Sequence, residues 1–406
     1  MSHRRRLLNL VIRNKHDVFS LHHIDLRSPK NSLFYDPTPA ASTEPEYLPE
    51  LKEMERIRPE TRPRLSQGTT DTKTVFLDYQ SSGAALYVYD DRERCLATLP
   101  RLLQSKWYPI CLSTANAAGD EEDVVFVMDN RMKPPGDAPE SRLQFQALVH
   151  HRKGGTDRWQ CVELPPPPYV SEAGYRTRAE IQSYGVVHGG AVCVSSEKFG
   201  TFCFDAASRA WSKAGDWALP FDGEVHHVPE LGLLVGVGVP RWDGDHQIHA
   251  CPVPWTSSAS TAVEPTLCDG ALRDLQAFHE EFYLDDTGWP ELVSLGSGKF
   301  CVVRCFETMK ETCCHCNHTE LDKRFVVFTG MEVVRSKLKR NENDHGVRMI
   351  KHKSTVYMLV NNWNIERCGV LGSPPPFATA EGLALTQKHA DAWFLAELVV
   401  ALAFAV

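Results

Sequence analysis

The residues "HGGAVCVSSEKFGTFCFDAASRAWSKAG", 188–215, contain the pattern from which we predict the fold. The runs "GAVCVSS" and "GTFCFDAA" are rich in apolar and aromatic residues and flank a short polar turn, which predicts two antiparallel strands. Asp205 ends the second run and predicts a capped turn, because an aspartate side chain accepts hydrogen bonds from nearby backbone N–H groups. Trp211 lies in the strand that follows, where we expect its ring to anchor the strand between neighbouring sheets.

Related stretches predict that this sheet is a repeated unit. Residues 87–100, "YVYDDRERCLATLP", share the aromatic-x-aromatic-Asp pattern and place Leu96 where the first stretch has Trp211. A looser copy, residues 147–168, places Trp159 near the start of its outer strand. Repeated sheet units that each carry an anchor are typical of sheets stacked radially around an axis. The sequence therefore predicts an all-β fold, a β-propeller.

Paired strand-like runs set the predicted number of blades. Hairpins are predicted at 7–26, 74–91, 124–151, 190–207, 232–253, 299–334 and 347–362. Helical periodicity between them is confined to residues 272–282. If the last hairpin joined the N-terminal strands in one blade, the ring would close and hide both sheet edges. This closure predicts six blades, with seven as the alternative.

The chain is expected to comprise one domain and a tail. Residues 1–370 are assigned to the propeller, with a long exposed connection at about 27–56 that is rich in Pro, Ser and Glu. Residues 371–406 form an atypical C-terminal tail, a linker followed by the apolar segment 392–406. That segment contains Glu397 and is shorter than the about twenty residues that a spanning helix needs. We therefore predict no membrane partner, with a tail anchor as the minor alternative.

The glycine pair before the first strand supplies a resemblance. Gly189 and Gly190, followed by Asp205 and Trp211, resemble a kelch-type propeller blade, in which the glycines allow a tight turn. The segments "RRLLNLVIRNKHDVFSLHHIDL", "LFYDPT", "GSGKFCVVRCFET" and "FVVFTGMEVVR" are similar to a plant family, expanded in grasses, of uncharacterised kelch-like proteins, the domain of unknown function sixteen-sixty-eight. The resemblance runs from about residue 5 to about residue 362. It implies a β-propeller and supplies no catalytic residues.

Composition indicates which class of partner and which cellular compartment to expect. The formal charge of −8 is spread without long blocks of one sign, so the basic surface that nucleic-acid binding requires is missing. Thirteen cysteines and no apolar signal segment after Met1 predict a reducing compartment, in which Cys193, Cys203 and Cys301 are small buried thiols. The protein is expected to be cytoplasmic, or nuclear if a basic cluster such as residues 337–340 acts as an import signal.

A cysteine and histidine cluster, "ETCCHCNHTE" at residues 311–320, raises the question of a metal site. Cys313 and Cys316 have a usable zinc spacing, and His318 is a third weak candidate ligand. Structural zinc sites join two separated pairs of ligands, and the second pair is missing. We interpret the cluster as an exposed loop, with a thiol- or metal-responsive sensor as the alternative.

Signals for catalysis are weak, so no catalytic residue and no cofactor are predicted. The nucleophile elbow, the phosphate-binding loop and the dinucleotide fingerprint are absent from the sequence. Carboxylates such as Asp243 and Asp285 lie in turn-forming sequences. In histidine pairs such as His150-His151, neighbouring side chains of a strand point to opposite faces, which argues against one shared ion. An enzyme with its active site in the axial channel is kept as an alternative.

The function predicted from this architecture is a scaffold for protein–protein interaction. Loops on a rigid scaffold commonly carry binding residues, and aromatic side chains dominate the binding energy of interfaces. Trp242, Trp255 and Trp289 are the candidate residues that bind an unknown protein partner.

Overall fold

The computed structural model describes most of the strands and some of the connections between them. The described residues are 7–13, 19–26, 32–35, 52–53, 73–78, 85–90, 95–104, 106, 109–114, 122–134, 143–151, 158–171, 180–187, 190–239, 247–254, 265, 267–268, 283–284, 290–313, 318–335, 346–358, 367–370 and 399–403.

These residues are almost entirely in β-structure. Within the described part of the chain, the one helical element is a 3-10 turn, Pro168–Ser171, and no helix there is long and apolar enough to cross a membrane. The strands, in chain order, are β1 Leu7–Arg13, β2 Phe19–Asp25, β3 Lys52–Glu53, β4 Lys73–Asp78, β5 Ala85–Asp90, β6 Cys95–Thr98, β7 Pro109–Thr114, β8 Glu122–Asp129, β9 Phe145–His151, β10 Arg158–Leu164, β11 Ser183–Val187, β12 Ala191–Ser196, β13 Gly200–Asp205, β14 Ala210–Gly215, β15 Phe221–Val228, β16 Leu233–Gly238, β17 Ile248–Pro252, β18 Tyr283–Leu284, β19 Glu291–Gly296, β20 Lys299–Cys313, β21 His318–Arg335, β22 Val347–Met358, β23 Arg367–Val370 and β24 Val399–Ala403.

The described residues fall into two compact units. The first unit takes those within Met1–Pro59, His226–Pro254 and Pro265–Leu371. The second unit takes those within Glu60–Val225, Trp255–Glu264 and Gly372–Val406.

The second unit contains the antiparallel runs β10-β9-β8-β7, β14-β13-β12-β11 and β24-β4-β5-β6. The first and third runs are complete four-stranded sheets, whereas the second is part of a seven-stranded sheet that continues through β15, β16 and β17. In the first two runs each strand pairs with its neighbour in sequence, as alternating apolar runs joined by short turns dictate. The start of β15 adds to β11 in parallel.

A cluster of aromatic rings, which we call the aromatic junction, lies between the sheets β7–β10 and β11–β14. Phe145 and Phe204 are fully buried, with ring centroids 5.0 Å apart. Phe126 lies 6.0 Å from Phe204 by the same measure. Trp211 packs 5.5 Å from Phe145, and its indole N–H donates to the carbonyl of Pro165 at 2.7 Å. The prediction that Trp211 anchors its strand against a neighbouring sheet is confirmed.

The turn after β13 is also formed as predicted. Asp205 Oδ1 accepts a hydrogen bond from the backbone N–H of Ala207 at 3.0 Å, and its Oδ2 accepts one from the Ser208 hydroxyl at 2.7 Å. The Ser208 hydroxyl bond, followed by the Ala207 bond, lowers the pKa of Asp205 below its ordinary value. Gly190 has a φ of 80°, which a glycine adopts without steric cost.

One prediction about the thiols is wrong. Cys193 and Cys203, expected to be buried free thiols, form a disulfide. They are directly opposite each other on β12 and β13, with Cα atoms 4.1 Å apart. Sequence alternation places them on the face opposite Val192 and Phe204, so the bond crosses the side of the sheet that faces away from the aromatic junction. Cys301 is a buried free thiol, as predicted.

The first unit centres on the strands β19 to β22. Apolar side chains on one face pack with those of β16 and β17, among them Phe300 and Val235. On the other face Val303 and Phe328 pack with Ile24 and Leu33. The pair β1–β2 is joined in antiparallel fashion by β23.

Six of the predicted hairpins are confirmed as antiparallel pairs of strands. They are the hairpins at 7–26, 74–91, 124–151, 190–207, 232–253 and 299–334. The hairpin at 347–362 is wrong, because Val347–Met358 is one continuous strand. Ser354, which begins the second of the two predicted strands, pairs with Thr329 within this strand, and their hydroxyl oxygens lie 2.9 Å apart. The helical pattern at 272–282 lies outside the described residues.

Candidate functional site

The cysteine and histidine cluster lies at the end of a long hairpin. Strands β20 and β21 pair from Lys299↔Glu332 as far as Cys313↔His318. β18 pairs with β20 no further than Glu307, and β22 pairs with β21 from Phe325 onward. Beyond these points residues 308–313 and 318–323 pair with each other, and no other described strand pairs with them. We call this two-stranded segment the ribbon.

The backbone of the ribbon brings two of the candidate metal ligands together. Cys313 and His318 are Cα partners in its last pair. Cys316 lies outside the described residues, as do Trp242, Trp255 and Trp289. Among the residues that the structure describes, no three His, Cys, Asp or Glu side chains are grouped as metal ligands. Metal binding at the ribbon and partner binding at the tryptophans therefore remain predictions.

A polar cluster in the second unit was not predicted. Arg131, just after β8, forms a backbone bridge with Glu180, just before β11. Its guanidinium donates to Glu180 Oε2 at 2.8 Å, and the amide of Asn130 donates to Oε1 at 2.9 Å. Asp222 lies beside this pair in β15, because the backbone N–H of Gly223 donates to the Gln182 carbonyl at 2.8 Å. Three chain segments thus bring two carboxylates and a guanidinium together.

The electrostatics of this cluster favour a proton on Asp222. Burial, and then the negative charge of Glu180, raise the pKa of Asp222 to about 7, against a smaller opposing effect of the Gly223 N–H. A carboxyl group that titrates near neutral pH can donate or accept a proton. The side-chain oxygen of Asn130 is buried and has no hydrogen-bond partner among the described residues. The cluster is therefore a candidate site for proton exchange near neutral pH. In the sequence, Asp222-Gly223 is only a common turn-forming pair, so it gave no signal for this role.

A second unpredicted feature is a buried lysine. Lys106 is 1% exposed; its Nζ donates to the carbonyl of Leu143 and lies 4.0 Å from Asp129 Oδ2. Burial lowers its pKa to about 8, while the Asp129 charge acts in the opposite direction. Burial also raises the pKa of Cys111 to about 12, so this thiol is not a nucleophile at neutral pH. Lys106 fixes the loop before β7 to the start of β9.

The histidine pair of β9 follows the predicted alternation. His150 is fully buried and stacks on Trp159, with ring centroids 4.4 Å apart. His151 is partly exposed. The pair is therefore divided between two faces of the sheet, as expected for neighbours in a strand.

Solved structures with some similarity to the chain come from bacteria. A protein from Lactobacillus plantarum is 11% identical, with a TM-score of 0.27, over 69% of this chain and 99% of its own. A protein of unknown function from Dyadobacter fermentans is 11% identical, with a TM-score of 0.32, over 89% and 98%. The dipeptidyl peptidase 4 of Porphyromonas gingivalis is 9% identical, with a TM-score of 0.27, over 68% and 41%. TM-scores this low assign neither a fold nor a function to the chain.

Family membership comes from sequence. No curated protein matches the chain. Residues 5–357 match the family described as "Protein of unknown function (DUF1668)". That range takes in the quoted segments from the N-terminal hairpin to β21, and it ends before the tail. The chain belongs to the DUF1668 family.

Proposed function

We propose that the chain is a β-propeller scaffold that binds a protein partner through the ribbon. The proposed domain is residues 1–370, kelch-like, with six blades or alternatively seven, and with residues 371–406 as an atypical tail. The proposed closure uses the N-terminal strands, which pair with β23 and not with a hairpin at 347–362. The sheet β7–β10 supports this proposal, because it is a four-stranded meander, the unit from which propeller blades are built, and β11–β14 form a second such meander within their seven-stranded sheet.

The observation that carries the binding role is the extent of the ribbon past its neighbouring strands. Residues 308–313 span about 20 Å at about 3.3 Å per residue. Backbone N–H and C=O groups on the outer edges of a two-stranded segment are available to pair with an added strand, which is a common mode of peptide recognition. The ribbon therefore offers main-chain hydrogen bonds to an extended segment of a partner.

Three tryptophans, which the sequence places in connections between predicted strands, are the proposed side-chain contacts. Trp242, Trp255 and Trp289 are proposed as aromatic anchors, since large rings bury much area at little entropic cost. Cytoplasmic or nuclear localisation is proposed because Cys251 and Cys301 are buried free thiols whose pKa burial raises, as expected for thiols that serve only as small apolar side chains. The Cys193–Cys203 disulfide is atypical of such a reducing compartment and counts against this part of the proposal.

Affinity capture with a matched pair of chains tests the proposal. In the test variant, Asn-Gly replaces residues 309–322, so that Thr308 and Lys323, already paired, flank a two-residue turn. The full chain and the variant are used as baits in plant extract, since the sequence resemblance is to a plant family. We expect the variant to lose proteins that the full chain retains. The circular dichroism spectra of the two chains should agree, as a control that the variant is folded. Identical retention by both baits would contradict the proposal.

A second candidate function is thiol or metal sensing at the end of the ribbon. The observation that favours it is the direct pairing of Cys313 with His318 across the hairpin. The metal content of the purified chain, compared with that of the variant Cys313→Ser, Cys316→Ser, tests this function. Stoichiometric zinc that the variant loses would support it, and zinc-free protein at neutral pH in the presence of added zinc would exclude it.

A further inference from the structure

A short segment of the first unit, Ser32–Tyr35, packs on β22 although its surroundings in the sequence predict an exposed connection. We call this segment the strap. Leu33 is 2% exposed, and its carbonyl accepts a hydrogen bond from the Lys353 N–H at 3.0 Å. A Cβ atom at Gly330 would lie 2.1 Å from the same carbonyl oxygen, so only glycine lets the strap approach β21 this closely. The expectation of an exposed connection is therefore wrong at Leu33.

A β-bulge places His352 under the strap. Thr329 pairs with Ser354 and Met331 with Lys351, so two residues of β22 oppose Gly330 alone. Such bulges redirect side chains out of the regular alternation of a strand. This bulge lies at the point where the strap packs on β22.

His352 links the strap to the sheet through both ring nitrogens. Its Nδ1 accepts a hydrogen bond from the backbone N–H of Tyr35 at 3.3 Å. Its Nε2 lies 3.1 Å from Glu332 Oε2, which can only accept. These two bonds require the neutral ring with its proton on Nε2. The imidazole is 0% exposed, so water does not replace either partner in the closed strap.

Charged side chains of the described residues approach the ring from three strands. From β21, Glu332 favours the imidazolium; from β20, Lys299 opposes it and lies 3.4 Å from Glu332 Oε1. From β22, the Lys353 ammonium lies 5.0 Å above the Tyr35 ring. Burial is the largest of these effects, and the pKa of His352 is lowered from its ordinary value of 6.5.

We propose that the strap is a pH-sensitive element, closed while His352 is neutral and released when the ring gains a proton. A proton on Nδ1 would face the Tyr35 N–H, so the bond that holds the strap would become a contact between two donors. Release would expose the Leu33 site on the sheet and free the Lys353 N–H at the edge of β22. This device is separate from the ribbon and does not depend on the proposed function.

The sign of the pH dependence follows from the two states of the ring. Release restores water to the ring, so the pKa that burial lowers in the closed strap returns toward its ordinary value of 6.5. The open strap therefore binds more protons, and acid favours it once the pH falls below about 6.5. From pH 7.5 to pH 5.0 the opening constant rises by up to about 30-fold, the limit for a group with this ordinary pKa.

Hydrogen exchange of the full chain tests the proposal, with rates corrected for the intrinsic effect of pH. The amides of Tyr35 and Lys353 are followed by fragment-resolved mass spectrometry between pH 7.5 and pH 5.0. We expect the protection factors of both amides to fall together by several-fold and up to about 30-fold. Protection that is equal at the two pH values would overturn the proposal.

Two variants separate the histidine from a general loosening in acid. His352→Asn keeps an acceptor for the Tyr35 N–H but does not titrate, so we expect the pH dependence at Tyr35 to disappear. Glu332→Gln removes the carboxylate that favours the imidazolium in the closed and the open strap alike, so we expect the pKa of His352 to fall in both states and the acid-induced loss of protection to move to lower pH. If His352→Asn kept the pH dependence of the unmutated chain, another group would control the strap and the proposal would fail.

Discussion

The aromatic junction and the strap show two ways of holding β-structure together. At the junction, Phe145 and Phe204 are fully buried and have no group that titrates. At the strap, Leu33 is equally buried, but the segment depends on a hydrogen bond to His352. Burial alone therefore does not decide whether a contact responds to pH, because apolar side chains do not titrate, whereas a buried titratable acceptor does.

The largest expected effect comes from a cavity in the aromatic junction. Phe204→Ala removes a ring that contacts three other aromatic side chains, and we expect the free energy of unfolding to fall by about 3–5 kcal/mol. Urea titration followed by tryptophan fluorescence measures the change. Phe204→Leu is the control that keeps part of the volume and should lose less. A loss below about 1 kcal/mol for Phe204→Ala would mean that the junction does not secure the two sheets.

The next effect concerns the cross-link on the other face of the same sheet. The Cys193–Cys203 disulfide closes a loop with a sequence separation of 10, for which chain entropy gives about 2–3 kcal/mol of stabilisation. We expect dithiothreitol to lower the free energy of unfolding of the unmutated chain by about 2–3 kcal/mol, which is measured as a lower urea midpoint. The double variant Cys193→Ala, Cys203→Ala should be insensitive to the reductant. An unchanged midpoint for the unmutated chain, with both thiols shown free by mass spectrometry, would leave the junction as the sheet's main stabiliser.

The smallest effect tests whether the second unit has an acid response of its own. The pKa of Asp205 is lowered from 3.8 by the Ser208 hydroxyl and then the Ala207 N–H, so its stabilising effect is present above about pH 4 and is lost as the pH falls through the lowered pKa. Because this carboxylate is exposed, we expect Asp205→Ala to cost only a few tenths of a kcal/mol at pH 7. Thermal unfolding between pH 3 and pH 7 measures it. If the effect of Asp205→Ala on stability changed near pH 6, and not below about pH 4, this expectation would be contradicted and the turn would titrate in the range expected for the strap.

Local patterns in the sequence predicted the strands and turns of the aromatic junction. The runs around Asp205 have apolar residues at the period of a strand, and short-range chemistry determines both the turn and the position of Trp211. The resemblance of residues 188–215 to other stretches likewise predicted antiparallel sheets in those stretches. These features depend on neighbours in sequence, so the sequence alone was sufficient to predict them.

Features that depend on pairing register could not be predicted in this way. The disulfide requires Cys193 to face Cys203 across two strands, and the position of His352 requires a bulge opposite Gly330. Leu33 lies in a segment rich in polar residues, whose composition indicated an exposed connection. Asp222 and Glu180 are more than forty residues apart in sequence, so their mutual effect on pKa left no local signal.

The most direct test of the contrast between the two regions measures both in one design. The free energy of unfolding is compared at pH 7.5 and pH 5.5 for the unmutated chain, Phe204→Ala and His352→Asn. We expect the cost of Phe204→Ala to be the same at both pH values, and the cost of His352→Asn to shrink at pH 5.5, by up to about 1.4 kcal/mol. Equal costs of His352→Asn at the two pH values, or a cost of Phe204→Ala that changes as much, would contradict the distinction between an apolar junction and a titratable strap.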